Sequence, residues 1–407
     1  MSVPTRTPGS LRLLAGWQQT GRPAGFAEHV ARYGPLPLMS GLIEKVEAAR
    51  LRGRGGAGFP TAVKMRAVAA GRRRPVVVAN GCEGEPVSHK DHALLSLAPH
   101  LVFDGAQLAA HAVGATSVLI CVHRDDPLAA SVAAALAQRH GDPVPTRIVE
   151  VPARFVASEE SALVNFINTG TAKPTAKPPR PYERGVRGKP TLVGNVETLA
   201  NLALIARTGD VATSKLVTIG GAVRGGGVHE VAVDASLATA LSAAGGETEP
   251  LQAVLAGGYG GNWVPFPAAA GLPLSHNEFR GVGMLLALPV RACGLAETAA
   301  ILRYLADESA RQCGPCMFGL PAIAQDFAAL ATGRADTGTV PRLRGRLGVI
   351  PGRGGCGHPD GAVRLAASAL RVFDQDVYAH AIGRPCLFAA QQPRFLPKPR
   401  FRETGWS

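Results

Sequence analysis

The chain has 407 residues, too many for one compact core, so two or three domains are expected. Hydrophobic residues make up 46% and charged residues 18%, which excludes a disordered chain, and the 5% aromatic content calls for cores of Ala, Val and Leu. The net charge of +13 comes from dispersed Lys and Arg, with local clusters at Arg72–Arg74 and around Lys398, Arg400 and Arg402; no basic run is interleaved with aromatics, which argues against nucleic acid.

In chain order, residues 1–40 scatter Gly and Pro and predict an irregular arm. Leu42, Ile43, Val46 and Ala49 fit a short helix over 40–51. It runs into Gly53-Arg54-Gly55-Gly56-Ala57-Gly58, where glycine density forbids a helix interior, and helix resumes over 64–70. Residues 75–80 predict a buried parallel strand, followed by an acidic loop over 81–86. Helix over 93–115, strand over 117–122, helix over 126–140 and strand over 147–151 complete an α/β alternation with a largely parallel sheet. A Pro- and Lys-rich segment over 173–190 precedes a helix over 195–207. Beyond residue 210, strands over 215–223 and 228–233 are joined by Arg224-Gly225-Gly226-Gly227, a hairpin signal, with a short helix over 236–244. From residue 295 the apolar spacing is helical and predicts a small bundle.

Several segments suit chemistry. The glycine run matches Gly-x-Gly-x-x-Gly, yet it follows a helix and meets Phe59-Pro60, so it is no Rossmann fingerprint. It is either a connector or a backbone cradle for a phosphate or flat ring, with Lys64 placed to meet the phosphate. Asn80-Gly81-Cys82-Glu83-Gly84-Glu85-Pro86 follows a strand end, where α/β proteins place ligands. The seven cysteines point to metal or redox use over disulfides. No signal-peptide core is present, and the apolar stretches over 113–122 and 282–290 fall far short of the roughly 20 residues of a membrane span. A cytoplasmic protein is expected, held at the inner membrane face only through partners.

Together, residues 52–61 with Lys64, Asn80–Pro86 with Lys90-Asp91, Glu159-Glu160, and Asn195-Val196-Glu197-Thr198-Leu199 resemble the NADH-binding flavoprotein subunit of respiratory complex I and its relatives in NAD-linked hydrogenases and formate dehydrogenases. The resemblance spans roughly 40–375. It implies an FMN/NADH-binding α/β domain over 41–209, a β-grasp domain over 210–290, a helical iron–sulfur domain over 291–390, and a basic tail over 391–407. It places Gly53, Arg54, Gly55, Gly56, Gly58, Phe59, Lys64, Asn80, Glu83, Glu159, Glu160 and Asn195 at the cofactor. NADH would give hydride to FMN, and electrons would pass singly to a [4Fe–4S] cluster and then to a ferredoxin-like or membrane-bound electron-transfer subunit.

Departures from the family stand out. Cys82 replaces an Asp, Gly194 an Asn, and Arg66 and Arg180 stand at places usually aromatic. Cys313, Cys316 and Cys356 match three cluster ligands, while Ala310 occupies the fourth place. Four thiolates are usual. Cys386, in a Gly/Pro turn, is the first candidate to replace the missing one; a noncysteine ligand, His358 or His380, is the other solution. Zinc suits a Cys3His set equally on ligand count. The competing function is a scaffold that keeps the fold without nicotinamide chemistry.

Overall fold

The computed structural model describes residues 12–124, 126–279, 283–395 and 405–407. The clustered charges of Lys398, Arg400 and Arg402 lie outside them.

Four strands form the first sheet: β1 (Val76–Asn80), β2 (Val118–His123), β3 (Thr146–Val151) and β4 (Thr191–Asn195). All pair in parallel, in the order β3-β2-β1-β4. Successive residues of β1 face opposite sides. Val77 and Ala79 join the core under the helices Pro99–Val113 and Val196–Thr208, whereas Val76 and Val78 pack with Leu163 and Val164 of the Glu160–Thr169 helix. The sheet is therefore covered on both faces, which is why β1 is an unbroken apolar run. Gly105 lets two of the covering helices meet: a Cβ there would lie 1.8 Å from the Leu199 carbonyl oxygen.

The chain runs outward from β1 to β3 and then returns to place β4 on the other side of β1. That reversal opens a crevice at the carboxyl ends of β1 and β4, the place where open α/β sheets hold ligands. Asn80 and Asn195 end these two strands and pair in register.

The second sheet is mixed, with β5 (Ser214–Gly221), β6 (Gly227–Ala232), β7 (Leu251–Ala256), β8 (Asn262–Pro265) and β9 (Met284–Pro289) in the order β6-β5-β9-β7-β8. Two antiparallel hairpins flank β9, which runs parallel to β5, and the Leu237–Ala243 helix crosses one face. This is the β-grasp arrangement. The helices Gly294–Asp307, Leu320–Ala331, Thr339–Val349, His358–Val372 and Asp374–Ala381 then pack around Ile301, Ile323, Phe327 and Leu365.

Some expectations change. The helix expected over 93–115 is two, Lys90–Leu97 and Pro99–Val113, because Pro99 has no N–H to continue the first and opens the second. The arm holds helices Ala15–Thr20 and Phe26–Tyr33. It is tied down by Glu230 of β6, whose carboxylate accepts the amides of Arg12, Leu13 and Leu14. β4, β7, β8 and β9 are strands that the sequence pattern does not single out. Among the described residues no single helix is long and apolar enough to cross a membrane; Lys90–Leu97 and Pro99–Val113 together are, but they are bent by 96° and mostly buried in the core.

Candidate functional site

The glycine loop is a hairpin pinned at its base. Gly53 donates to the Phe59 carbonyl (2.9 Å), Thr61 donates to that of Leu51 (2.9 Å), and the Arg52 guanidinium reaches the Gly58 carbonyl (2.9 Å). At its tip Gly56 has φ of 102° with nothing within 4 Å of a built Cβ, an open backbone surface only glycine adopts readily. Arg54 donates its amide to Thr198 Oγ1 (2.8 Å), while its buried Nε makes no hydrogen bond and lies 3.9 Å from Glu197. Phe59 is half exposed beside the loop.

Around the crevice the expected polar residues form a connected network. Asn80 donates to the Ser158 carbonyl (2.9 Å) and accepts the Cys82 amide (3.1 Å). Asn195 caps the Val196–Thr208 helix and donates to Asp91 (2.7 Å). Glu83 gathers the Lys90, Asp91 and His92 amides at the start of the Lys90–Leu97 helix. Glu159 caps the Glu160–Thr169 helix and pairs with Lys177, and Lys64 meets Glu160 at 2.7 Å. Burial works to raise the Glu160 carboxyl, but Lys64, Lys177 and Arg180 outweigh it and hold it below the usual range. Burial lifts Asp91 to about 7 against the opposing pull of Lys90, and it also raises Glu83. Cys82, in the place of an Asp, is buried, and desolvation pushes its thiol well up.

Lys90, Asp91, Thr198 and Lys177 belong to this network in addition to the expected cofactor contacts. Their signal is adjacency: three lie in the matched segments, and Lys177 lies in the Pro- and Lys-rich one. Toward the second sheet the loop borders a cavity of about 340 Å³ whose wall includes Arg52, Arg54, Glu197 and Lys215. Burial first, and then Arg54, brings Lys215 down to about 8. Arg66 is taken up by a two-pronged pair with Glu47 on the surface, while Arg180 is close enough to lower Glu160.

The cysteines separate into two groups. Cys313 and Cys316 flank the start of the π-helical turn Pro315–Gly319, which feeds the Leu320–Ala331 helix. Burial raises the Cys316 thiol, with Cys313 and then Cys356 adding to the effect. Burial likewise raises Cys356, where the His358 amide works the other way; Glu159, Cys313 and Lys177 all act on the same thiol. One thiol of this trio therefore feels the charges of the flavin-side loop. The helical domain also docks on that loop through Glu308, which takes the Phe155 amide (3.3 Å) and the Arg154 side chain (3.1 Å).

Cys386 is not in this group. Its amide donates to His380 Nε2 (3.0 Å), and His380 Nδ1 donates to the carbonyls of Leu330 and Ala331, at the far end of the helix that starts near Cys316. At 1.5 Å per residue the two ends stand roughly 20 Å apart. The expectation of Cys386 as fourth cluster ligand is corrected on that ground, and His380 is removed with it. His358 remains: its Nε2 meets the Leu305 carbonyl at 2.8 Å, leaving the lone pair on Nδ1, which is buried without a partner.

A glycine loop with an open tip and an orphaned arginine nitrogen fits a phosphorylated flat cofactor, and the thiols of Cys313, Cys316 and Cys356, close enough to act on one another, fit an iron–sulfur cluster. The fold and site define a flavin- and iron–sulfur-binding electron-transfer protein. The family models for the Nuo51 FMN-binding domain and the NADH-ubiquinone oxidoreductase-F iron–sulfur binding region match residues 46–204 and 296–380. The F subunit of the NADH-quinone oxidoreductase of Salmonella typhimurium is 30% identical over 373 residues, covering 83% of this chain and 84% of that one. The second F subunit of the Rhizobium meliloti NADH-quinone oxidoreductase is 26% identical over 409 residues, covering 92% and 96%. The crystal structure of an NAD+-reducing [NiFe]-hydrogenase in the H2-reduced state superposes with a TM-score of 0.80 at 28% identity, over 93% of this chain and 68% of that one. The chain belongs to the family of NADH-quinone oxidoreductase F subunits.

Proposed function

We propose that the chain oxidises NADH at a flavin in the β1/β4 crevice and delivers the electrons, through a cluster at Cys313, Cys316 and Cys356, to a separate electron-transfer subunit. FMN, when bound, would supply hydride acceptance and single-electron release, and an iron–sulfur cluster one-electron acceptance. The observation that carries the reading is the place of Cys356, whose thiol feels both Glu159 and Lys177 of the flavin loop.

The residues divide the work. The backbone of Gly55, Gly56 and Gly58 would line the cofactor's phosphate and ring edge, with Gly53 and Arg54 holding the loop in shape through their own amides and Lys64, freed from Glu160, neutralising the phosphate. Asn80, Glu83 and Asn195 fix the ring's polar edge, and Glu159-Glu160 border the nicotinamide side. Phe59 offers a face for a base to stack on, and Arg180 a cationic counterpart. His358 Nδ1 completes the cluster's ligand set in place of the thiolate lost at Ala310. The electron path runs from the domain over 41–209 to that over 291–390, with the domain over 210–290 packed beside it. The acceptor is a ferredoxin-like or membrane-bound subunit on the cytoplasmic side.

The test is anaerobic stopped-flow mixing of the FMN-loaded chain with NADH, followed by EPR of the reduced protein. Rapid loss of flavin absorbance and a cluster signal altered by His358→Leu are expected. A flavin that stays oxidised under excess NADH overturns the reading, and an unchanged signal in His358→Leu removes His358 from the ligand set.

A further inference from the structure

The second cysteine group stands apart from the electron path. Cys293, His380 and Cys386 place their sulfur and nitrogen donor atoms all within 4.8 Å of one another. Cys293 and His380 are buried, at 2% and 0% exposure, and Cys386 is half-buried. Three separate pieces of chain bring them together. Cys293 caps the Gly294–Asp307 helix, its Sγ accepting the Ala296 amide at 3.4 Å. The turn that carries it is held by Gln252, which donates to the carbonyls of Pro289 and Ala292 (2.8 and 2.7 Å). His380 belongs to the Asp374–Ala381 helix, and Cys386 lies in the turn that follows.

The histidine is oriented as a ligand would be. Its Nδ1–H is fixed on the Leu330 and Ala331 carbonyls (3.2 and 3.1 Å), so the lone pair sits on Nε2, toward Cys386. An imidazole that donates its other N–H to a main-chain carbonyl is the usual outer support of a metal-bound histidine. The Cys293 Sγ lies at a helix N-terminus and accepts an amide there, but burial outweighs this and pushes the metal-free thiol up, so the thiolate forms only as an ion binds.

We propose that Cys293, His380 and Cys386 form a zinc-type site: a Cys2His set for one d10 ion, separate from the iron–sulfur cluster, with the fourth position open. Two thiolates and an imidazole suit a borderline-soft ion with tetrahedral preference. On such an ion the donors stand roughly 3.5–3.8 Å apart at bond lengths of about 2.0–2.3 Å. The present spacing therefore needs closure of about an ångström or less. The Cys386 turn supplies it: half-buried, it is the side from which an ion enters, and the Cys386 amide on Nε2 is the contact the ion displaces. Two thiol protons leave as the ion binds, and no electron is transferred. The ion would cross-link the start of the helical domain to its last turn, so that binding adds to the domain's folding stability.

The test uses the full chain with flavin and cluster in place, exposed to zinc chloride, desalted, and assayed for zinc and iron by mass spectrometry. About one zinc per chain is expected in the wild type. In Cys386→Ser zinc should fall at least tenfold with iron unchanged, and in Cys313→Ser iron should fall with zinc retained. Zinc-edge X-ray absorption of the wild type, which requires no variant to fold, should show two sulfur neighbours and nitrogen or oxygen in the remaining positions. The proposal is overturned by any of four results: a wild type that keeps no zinc, zinc unaffected by Cys386→Ser, iron instead of zinc lost in Cys386→Ser, or a Cys293–Cys386 disulfide in the metal-free purified chain.

Discussion

The flavin crevice and the helical domain reach cofactor binding by opposite routes. In the crevice the contacts are spread over main-chain amides and over side chains that already bond to one another: Asn195 to Asp91, Asp91 to Lys90, Lys90 to Glu197. In the helical domain the proposed task falls on three sulfurs, Cys313, Cys316 and Cys356, and on one further ligand. Distributed contacts spread the cost of any one replacement over many partners, whereas a ligand set concentrates it on each member.

The sharpest break of this contrast is Cys316→Ser. It should abolish the cluster, with iron and the reduced EPR signal both lost, while FMN binding measured by fluorescence quenching remains within about twofold of wild type. Loss of flavin in the same variant would show that the two regions are not independent. A graded response is expected on the other side. Lys64→Met removes one charge-assisted contact, worth roughly 1.5–3 kcal/mol, and should weaken FMN binding about ten- to a hundredfold without abolishing it. A complete loss would place the crevice in the same all-or-none class as the cysteines.

The smallest effect concerns the wall of the crevice. Glu85 is half-buried, and desolvation raises it to about 7 despite the amides of Tyr259 and Gly260. A folded pKa above the ordinary value of 4.5 means that the native state holds the proton more tightly than the unfolded chain. Stability from this group is present below about pH 4.5 and drains away as pH rises through about 7. Glu85→Gln should therefore flatten the pH dependence of thermal unfolding and gain on the order of 1–2 kcal/mol at pH 8 relative to wild type, discounting the full shift for relaxation. An unchanged slope would assign the pH response elsewhere.

Much of this is legible in the sequence, and unevenly so. The crevice loops announce themselves because glycine runs and clustered polar residues are rare in segments that must also form elements, and the resemblance gives them an order. The edge of the sheet is not legible: β4 is brief and follows a proline-rich stretch, so Thr191–Asn195 looks like the lead-in to a helix. β9 is an apolar run with no alternation, which periodicity does not distinguish from buried helix. Cys386 is misplaced by sequence for a geometric reason. Counting residues puts it after the last helix, but which end of the Leu320–Ala331 helix that turn returns to is decided by His380 packing on the Leu330 and Ala331 carbonyls.

One construction recurs at the seams between the parts. A glutamate, half-buried at Glu85 and buried at the others, reaches across and receives peptide N–H groups from the neighbouring part: Glu85 from Tyr259, Glu197 from Leu216, Glu230 from residues 12–14, Glu297 from Arg394 and Phe395, and Glu308 from Phe155. Such a joint is asymmetric in what it asks of heredity. The accepting side requires one particular residue, while the donating side is blind to side-chain identity and refuses only proline. Relatives can drift freely on one flank of every seam and stay docked, so the domain arrangement can outlast the sequence similarity that would reveal it.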